Sequence, residues 1–336
     1  MESNEQNLIK QLKEMEEKLH VASSPHMLDT SLTTKKMMRD VLIALLPVTG
    51  MALYVFKIYA LIQIAICILS CLVFEEIFTY IRKKPYSLGD LSAVVTGVIL
   101  ALSLPASAPW YVGVVASLVA IGMSKILFGG LGQNIFNPAM VGRAFVMICF
   151  PAMLGAGAYV IKECGIDILT QATPLTLAKQ LGGSTPFLSL LIGNTNGSLG
   201  ETSALACIIG GIYLCIRRTA SYEIPLSFIL SVLIIGGIYN LFQQDANFTV
   251  LHHLLSGALL FGAFFIATDP VTSPLSIKGK YIFGFGLGFF VMVIRFFSGY
   301  PEGVMFAILI MNSIVPLINR ITIPFPEGGP LPVKKQ

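Results

Sequence analysis

Apolar residues run through this chain in ten stretches, at about 41–56, 59–80, 90–105, 109–127, 138–155, 200–216, 224–241, 249–267, 281–297 and 303–319. Each is near the roughly 20 residues a helix needs to cross a bilayer. The pattern predicts an all-α polytopic membrane protein of ten transmembrane helices. Ahead of them, residues 1–22 mix charge with Leu8, Leu12, Met15 and Leu19. That spacing predicts a short amphipathic helix on the membrane surface or against a partner. Residues 23–36 read as an extended lead-in. The long polar stretch 156–199 splits the spans five and five. An odd number per half predicts two inverted five-helix repeats.

Five regions follow: a cytoplasmic N-terminal segment 1–40, membrane repeat 1 at 41–155, an extracytoplasmic loop 156–199, membrane repeat 2 at 200–319 and a cytoplasmic tail 320–336. The orientation comes from charge. With the N-terminus inside, all but five of the 22 Lys and Arg residues fall in cytoplasmic segments. That bias is the usual mark of the cytoplasmic face. It puts both termini inside and the 156–199 loop outside. Residues 1–40 are polar, so the first apolar stretch reads as a spanning helix rather than a cleaved leader.

Composition agrees. The 336 residues are 55% hydrophobic and 12% charged, with mean hydropathy +0.78. A soluble chain carries roughly 25% charge. The net charge of +4 therefore reports topology, and nucleic acid is not an expected partner. Six cysteines are spread over apolar segments and one loop, which argues against a disulfide framework. Cys67 and Cys71 lie four apart on one helical face; with no second ligand pair beside them, they read as small packing residues.

Two stretches interrupt the spans on the predicted cytoplasmic side. Gly129 to Pro138 is Gly-rich and ends in Asn137-Pro138, a helix-start signal. Ala267 to Pro274 is its counterpart in the second half and carries Asp269. Irregular backbone at membrane depth is tolerated where it lines a site or is buried in protein. Interruptions in corresponding places of two halves point to a binding site. Arg143 lies inside the fifth span and Arg295 near the outer end of the ninth. Arg143 either pairs with an acidic group or with the phosphate or carbonyl of a bound cofactor, or it snorkels or caps a neighbouring helix. No carboxylate cluster lies within a span. His252 and His253, adjacent on a helix, diverge by about 100° and make a poor ligand pair.

The polar island from Asp167 to Thr176 is the centre of the functional reading. Thr173 is a good helix N-cap and Pro174 sits at the first helical position, where its missing N–H costs nothing. The helix is expected to run through Leu177 and Lys179 and stop at Gly182-Gly183. Its start favours an anion. Asp167-x-x-Thr170-Gln171-Ala172-Thr173 resembles the flavinylation motif Asp-x-x-Ser/Thr-Gly-Ala-Thr, with Gln171 in place of the usual Gly. The resemblance implies that a flavin transferase joins FMN to Thr173 through a phosphodiester bond. Thr170, Ala172 and Pro174 would then belong to the cofactor site.

The resemblance extends further. Ser24-Pro25-His26, Thr33-Thr34, Asp90-Leu-Ser92 to Thr96-Gly97, Pro109-Trp110, Gly130 to Ala139, Ala267 to Pro274 and Pro301-Glu302-Gly303 resemble one membrane-subunit family. It comprises the D subunit of the Rnf electron-transport complex and its paralogue, the B subunit of the sodium-pumping NADH:quinone reductase. That likeness implies a urea-transporter-like fold in a six-subunit complex of the bacterial cytoplasmic membrane. Such complexes move electrons between ferredoxin and NAD⁺ and couple this to Na⁺ or H⁺ translocation. It implies subunits A, B, C, E and G as partners, with electrons reaching Thr173-bound FMN from the FMN of the G subunit. It raises riboflavin as a second, non-covalent flavin, and Arg143, Asn137 and Asp269 as further flavin contacts. The chain has no haem or iron–sulfur ligand set of its own, so an organic cofactor has to carry any electron. It is expected to act as a subunit, with no catalytic residue alone. The competing reading is a solute transporter or channel of the same inverted-repeat fold.

Overall fold

The computed structural model describes residues 33–83, 88–154, 173–176, 185–193, 195, 197–243, 249–298 and 302–323. These form an all-helical assembly. Helix α1 is Thr34–Ile81, α2 Ser92–Ser103, α3 Trp110–Leu118, α4 Pro138–Cys149, α5 Phe187–Ile192 and α6 Ala204–Ile216. After them come α7 Glu223–Gln243, α8 Val250–Leu255, α9 Leu259–Phe261, α10 Ile277–Phe297 and α11 Val304–Thr322. Helix α3 runs on as a π-helical stretch Val119–Ile126, and α9 as another, Gly262–Ile266. Among the described residues, four helices are long and apolar enough to cross a membrane: α1, α7, α10 and α11. Large apolar side chains are exposed around them, such as Leu46, Leu69, Leu241 and Phe242. Lipid is the medium in which that exposure costs nothing.

Helix α1 is two arms. Lys57, at φ 51° and ψ −126°, breaks it. Near the first arm's start, Asp40 pairs with Arg217 at 3.3 Å. Near the second arm's end, Glu75 pairs with Lys125 at 2.6 Å. Met37, Met38 and Lys125 all line one cavity. Both ends of α1 therefore lie together, and the arms run in opposite directions about Lys57. This matches the first two predicted spans, separated by a single charged residue. The predicted extended lead-in to residue 36 is corrected at its end. The helix already starts at Thr34, because the Thr33 hydroxyl caps it by accepting the Lys36 N–H at 3.2 Å.

Other helix starts are set the same way. The Asn137 side chain accepts N–H groups from Ala139 (3.1 Å) and Met140 (3.3 Å) at the head of α4. The Asp90 carboxylate accepts the Ser92 N–H at 2.8 Å at the head of α2. Such caps satisfy N–H groups that a helix start leaves without partners. Gly129, Gly130 and Gly132 all have positive φ, at 136°, 109° and 91°. Their lack of a side chain makes that turn possible. Cys67 and Cys71 are packed in the core.

The predicted eighth span is not one helix. Helix α8 ends at Leu255, Ser256 is extended, Gly257 has φ 72°, and α9 begins after Ala258. The third is also shorter than drawn, because Leu104 and Pro105 turn extended. Pro105 pairs with Ser198, and Leu104 C=O accepts the Leu199 N–H at 3.1 Å. The amphipathic helix predicted at 1–22 lies outside the described residues.

Candidate functional site

The break at Ser256–Ala258 organises one site. Two basic and two acidic side chains gather there. Arg295, on α10, donates to the carbonyls of His253 and Ser256, the latter at 3.0 Å. A helix leaves its last carbonyls to be satisfied from outside, and here the guanidinium of another helix does so. On the other side of the break, the Glu302 carboxylate accepts the Ala258 N–H that opens α9. A carboxylate at a helix start is favourable for the same reason as any N-terminal anion. Glu302 also meets Arg143 of α4 at 3.2 Å, and Arg143 lies 3.6 Å from Glu201.

Of the two readings of Arg143, pairing with acid is the one found. Arg295 is the arginine that caps a neighbouring helix. No carboxylate cluster was expected within a span, and the pair found here stands just ahead of two helices, α6 and α11. Glu201 and Glu302 stand far apart in the sequence and come together on Arg143.

The turn that carries Thr173 meets this cluster through Leu175. Residues 174–176 form one helical turn, with Thr173 just before it. The Thr173 Oγ1 accepts the Thr176 N–H at 3.3 Å and lies 2.7 Å from the Thr176 hydroxyl. It is the predicted N-cap, with Pro174 at the first helical position. Thr173 itself is half-buried, while Pro174, Leu175 and Thr176 are buried. Leu175 reaches the break: a Cβ placed on Gly257 would lie 2.8 Å from its Cδ1. Thr170, Ala172 and the predicted helix beyond Thr176 lie outside the described residues.

A second site lies at the other end of α9. The two interruptions singled out in the sequence border one cavity of about 90 Å³. Asn134, Asn137 and Pro138 come from the first, and Thr268, Asp269 and Pro270 from the second. Ser92, Thr96 and Lys125 add polar atoms, and Val95, Ile99 and Phe265 add apolar wall. Asn137 also donates toward the Ile266 carbonyl at 3.5 Å, which ties α4 to the end of α9. Asp269 spends its carboxylate on its own turn, accepting the Val271 N–H at 3.3 Å and the Thr272 hydroxyl at 3.1 Å. Burial pushes its carboxyl up from the ordinary range, and those two donors oppose the shift. By helix rise, roughly 12 Å of backbone separates the two sites along α9.

Two residues of the cavity region escaped the sequence reading. Glu75 and Lys125 form an almost fully buried ion pair, and Lys125 also donates to the Ser92 hydroxyl at 2.6 Å. The available signal was a glutamate inside an apolar stretch and a lysine at the end of another, both costly in a membrane unless paired. The histidines behave as packing and capping groups. His252 forms a capping box with Thr249, and His253 is buried edge-on to Phe296.

Residues 20–328 match the model of the NQR2, RnfD, RnfE family. The chain is 43% identical over 308 residues to the D subunit of the Na(+)-translocating ferredoxin:NAD(+) oxidoreductase complex of Acetobacterium woodii, a match covering 90% of this chain and 93% of the relative. It is 38% identical over 319 residues to the D subunit of the proton-translocating ferredoxin:NAD(+) oxidoreductase complex of Clostridium ljungdahlii, covering 92% and 96%. With the D subunit of the ion-translocating oxidoreductase complex of Stutzerimonas stutzeri it shares 39% identity over 324 residues, covering 87% and 92%.

Proposed function

The chain belongs to the NQR2, RnfD, RnfE family, and we propose that it is the membrane flavoprotein subunit of a complex coupling electron transfer between ferredoxin and NAD⁺ to Na⁺ or H⁺ translocation. In this reading FMN esterified to Thr173 carries the electrons. They come from the FMN of the G subunit, within an assembly that also includes subunits A, B, C and E. The fold is ten spans in two inverted repeats, in the cytoplasmic membrane, with both termini inside and Thr173 outside.

The observation that carries it is the seating of Thr173. Residues 174–176 are buried, while the threonine is half-buried at the head of the turn. A phosphodiester at that hydroxyl is a single negative charge next to the N–H end of the turn. Leu175, two residues on, reaches the break where Arg295 and Glu302 meet, and the free N–H groups of a helical start are the donors that suit a phosphate there. The bound group would supply one- and two-electron chemistry. The chain's own residues would hold the tether, orient it through Leu175 and shape the field around it. A covalent link also keeps a soluble, anionic cofactor from being lost at an aqueous face.

Riboflavin, the second flavin raised by the resemblance, fits less well. Asn137, though it lines the cavity, already spends its amide on the start of α4 and on the Ile266 carbonyl. A cavity of about 90 Å³ falls short of the roughly 300 Å³ at which ligand pockets begin, too small for a flavin ring system. That same cavity, lying between two interrupted helices, is what favours the second reading, a solute pathway. The transporter reading leaves Thr173 without a role. Solute uptake by the flavin-free subunit in liposomes would support it.

The test is the mass of the peptide 163–179 from protein matured in its host. Wild type should carry the FMN increment on Thr173, Thr173→Val should lose it together with acid-stable yellow fluorescence, and Thr173→Ser should keep it. An unmodified wild-type peptide, or flavin persisting in Thr173→Val, overturns the assignment.

A further inference from the structure

Among the described residues, Glu302 is the side chain that touches both edges of the Thr173 site. One carboxylate oxygen is 3.2 Å from Arg143 and the other holds the Ala258 N–H. A Cβ on Gly257 would lie 3.2 Å from Glu302 Oε1, 3.4 Å from an Arg295 nitrogen and 2.8 Å from Leu175. These three side chains therefore close around a notch that only glycine leaves open. Leu175, two residues past Thr173, fills it.

We propose that Glu302 is a positioning residue for the group carried by Thr173. It fixes the break at 256–258, so that the notch receives Leu175, and its charge contributes to the potential felt by the flavin. This deepens the reading of Thr173 as an FMN anchor and rests on it.

The electrostatic sign is simple. Reduction adds negative charge to a flavin, and a fixed carboxylate nearby opposes it. Replacing Glu302 by Gln removes that charge, keeps an acceptor for the Ala258 N–H and leaves the Arg143 charge less neutralised. The two changes in charge both raise the midpoint potential of the tethered flavin, while the retained acceptor keeps the break in place. Truncating Leu175 removes the plug without touching a charge. It should loosen the turn and leave the attachment intact.

The experiment uses the protein purified in its membrane complex. Three quantities are read for Glu302→Gln, Glu302→Asp and Leu175→Ala: the mass of the peptide 163–179, the midpoint potential of the covalent flavin and its fluorescence anisotropy. Glu302→Gln should stay fully modified with a raised potential. Glu302→Asp keeps the charge and so the wild-type potential, but its shorter arm releases Ala258 and anisotropy falls. Leu175→Ala should likewise keep modification and potential, with lower anisotropy. Wild-type potential in Glu302→Gln, or wild-type anisotropy in both other variants, overturns the proposal. If Glu302→Gln does not assemble, the two anisotropy measurements decide alone. An unmodified wild-type peptide instead sinks the FMN assignment itself, so the two failures are told apart.

Discussion

The Glu75–Lys125 pair shows how a single residue can be costly and still retained. The side chains are 1% and 3% exposed, with Nζ and Oε1 2.6 Å apart. Lys125 also donates to Ser92, whose hydroxyl donates to Asp90 at 2.5 Å, so the buried ammonium has several partners. Removing one member of a buried pair strands the other and typically costs about 3–5 kcal/mol, while replacing both by apolar groups of similar volume is often neutral. Glu75→Leu and Lys125→Met should each lower the thermal unfolding midpoint in detergent sharply. The double variant should recover most of the loss. Single variants as stable as wild type would show that the pair carries no structural weight. The retention of so costly a pair at the cavity wall fits a role there beyond stability, since ionisable groups inside membranes are usually functional.

At the scale of elements, close helix contact is the test. Gly97 of α2 faces the second arm of α1 so tightly that a Cβ would lie 2.8 Å from the Ile68 Cα and 3.1 Å from the Cys67 carbonyl. Both are backbone atoms, which cannot swing aside. Membrane helices gain most from such small-residue contacts, where dispersion and close approach replace the hydrophobic drive. Gly97→Ala should therefore push α2 off α1 and reduce stability by a few kcal/mol, on the order of other overpacked sites. Gly237 on α7 has nothing within 4 Å of where a Cβ would stand. There Ala should be neutral, or stabilise by about 0.5–1 kcal/mol. Unfolding midpoints of the two variants, side by side, check both. These elements differ in how far they were legible. Apolar runs pointed to the helical, membrane-like character of the chain, and to its four long apolar helices, because lipid enforces one rule along a whole segment. Asn137-Pro138 and Thr173-Pro174 gave helix starts because a cap is local chemistry. The break at Gly257 was not legible: its cause is Arg295 and Glu302, 38 and 45 positions along the chain, and no local pattern announces a partner at that distance. The meeting of Glu201 with Glu302 on Arg143 escaped for the same reason. The start of α1 at Thr34 was missed because Lys35 and Lys36 look like the end of a polar lead-in, although Thr33 is an ordinary cap.

For the whole molecule, the decisive question is which end faces which compartment. The structure gathers Lys125, Arg217 and both ends of α1 at the cavity end, and sets the Thr173 turn by the break at the opposite end of α9. The basic residues found at the cavity end are those that the charge count assigns to the cytoplasm. The structure thus brings together at one end residues that the charge count assigns to one compartment, which is what the proposed orientation requires. Electrons reaching Thr173 would then arrive on the outer face, while the cavity opens inward. Helix α9 would be the short element between them, with Glu302 at its head and Asn137 at its tail. An impermeant maleimide checks this in intact cells whose outer barrier has been opened. Thr185→Cys, in the loop that carries Thr173, should label without permeabilisation of the cytoplasmic membrane. Arg218→Cys, at the end of α6, should label only after it. Wild-type protein, with its own cysteines, supplies the background. If Arg218→Cys labels first and Thr185→Cys does not, the molecule is inverted. Thr173 would then face the cytoplasm, and an electron route from an extracytoplasmic partner would be impossible.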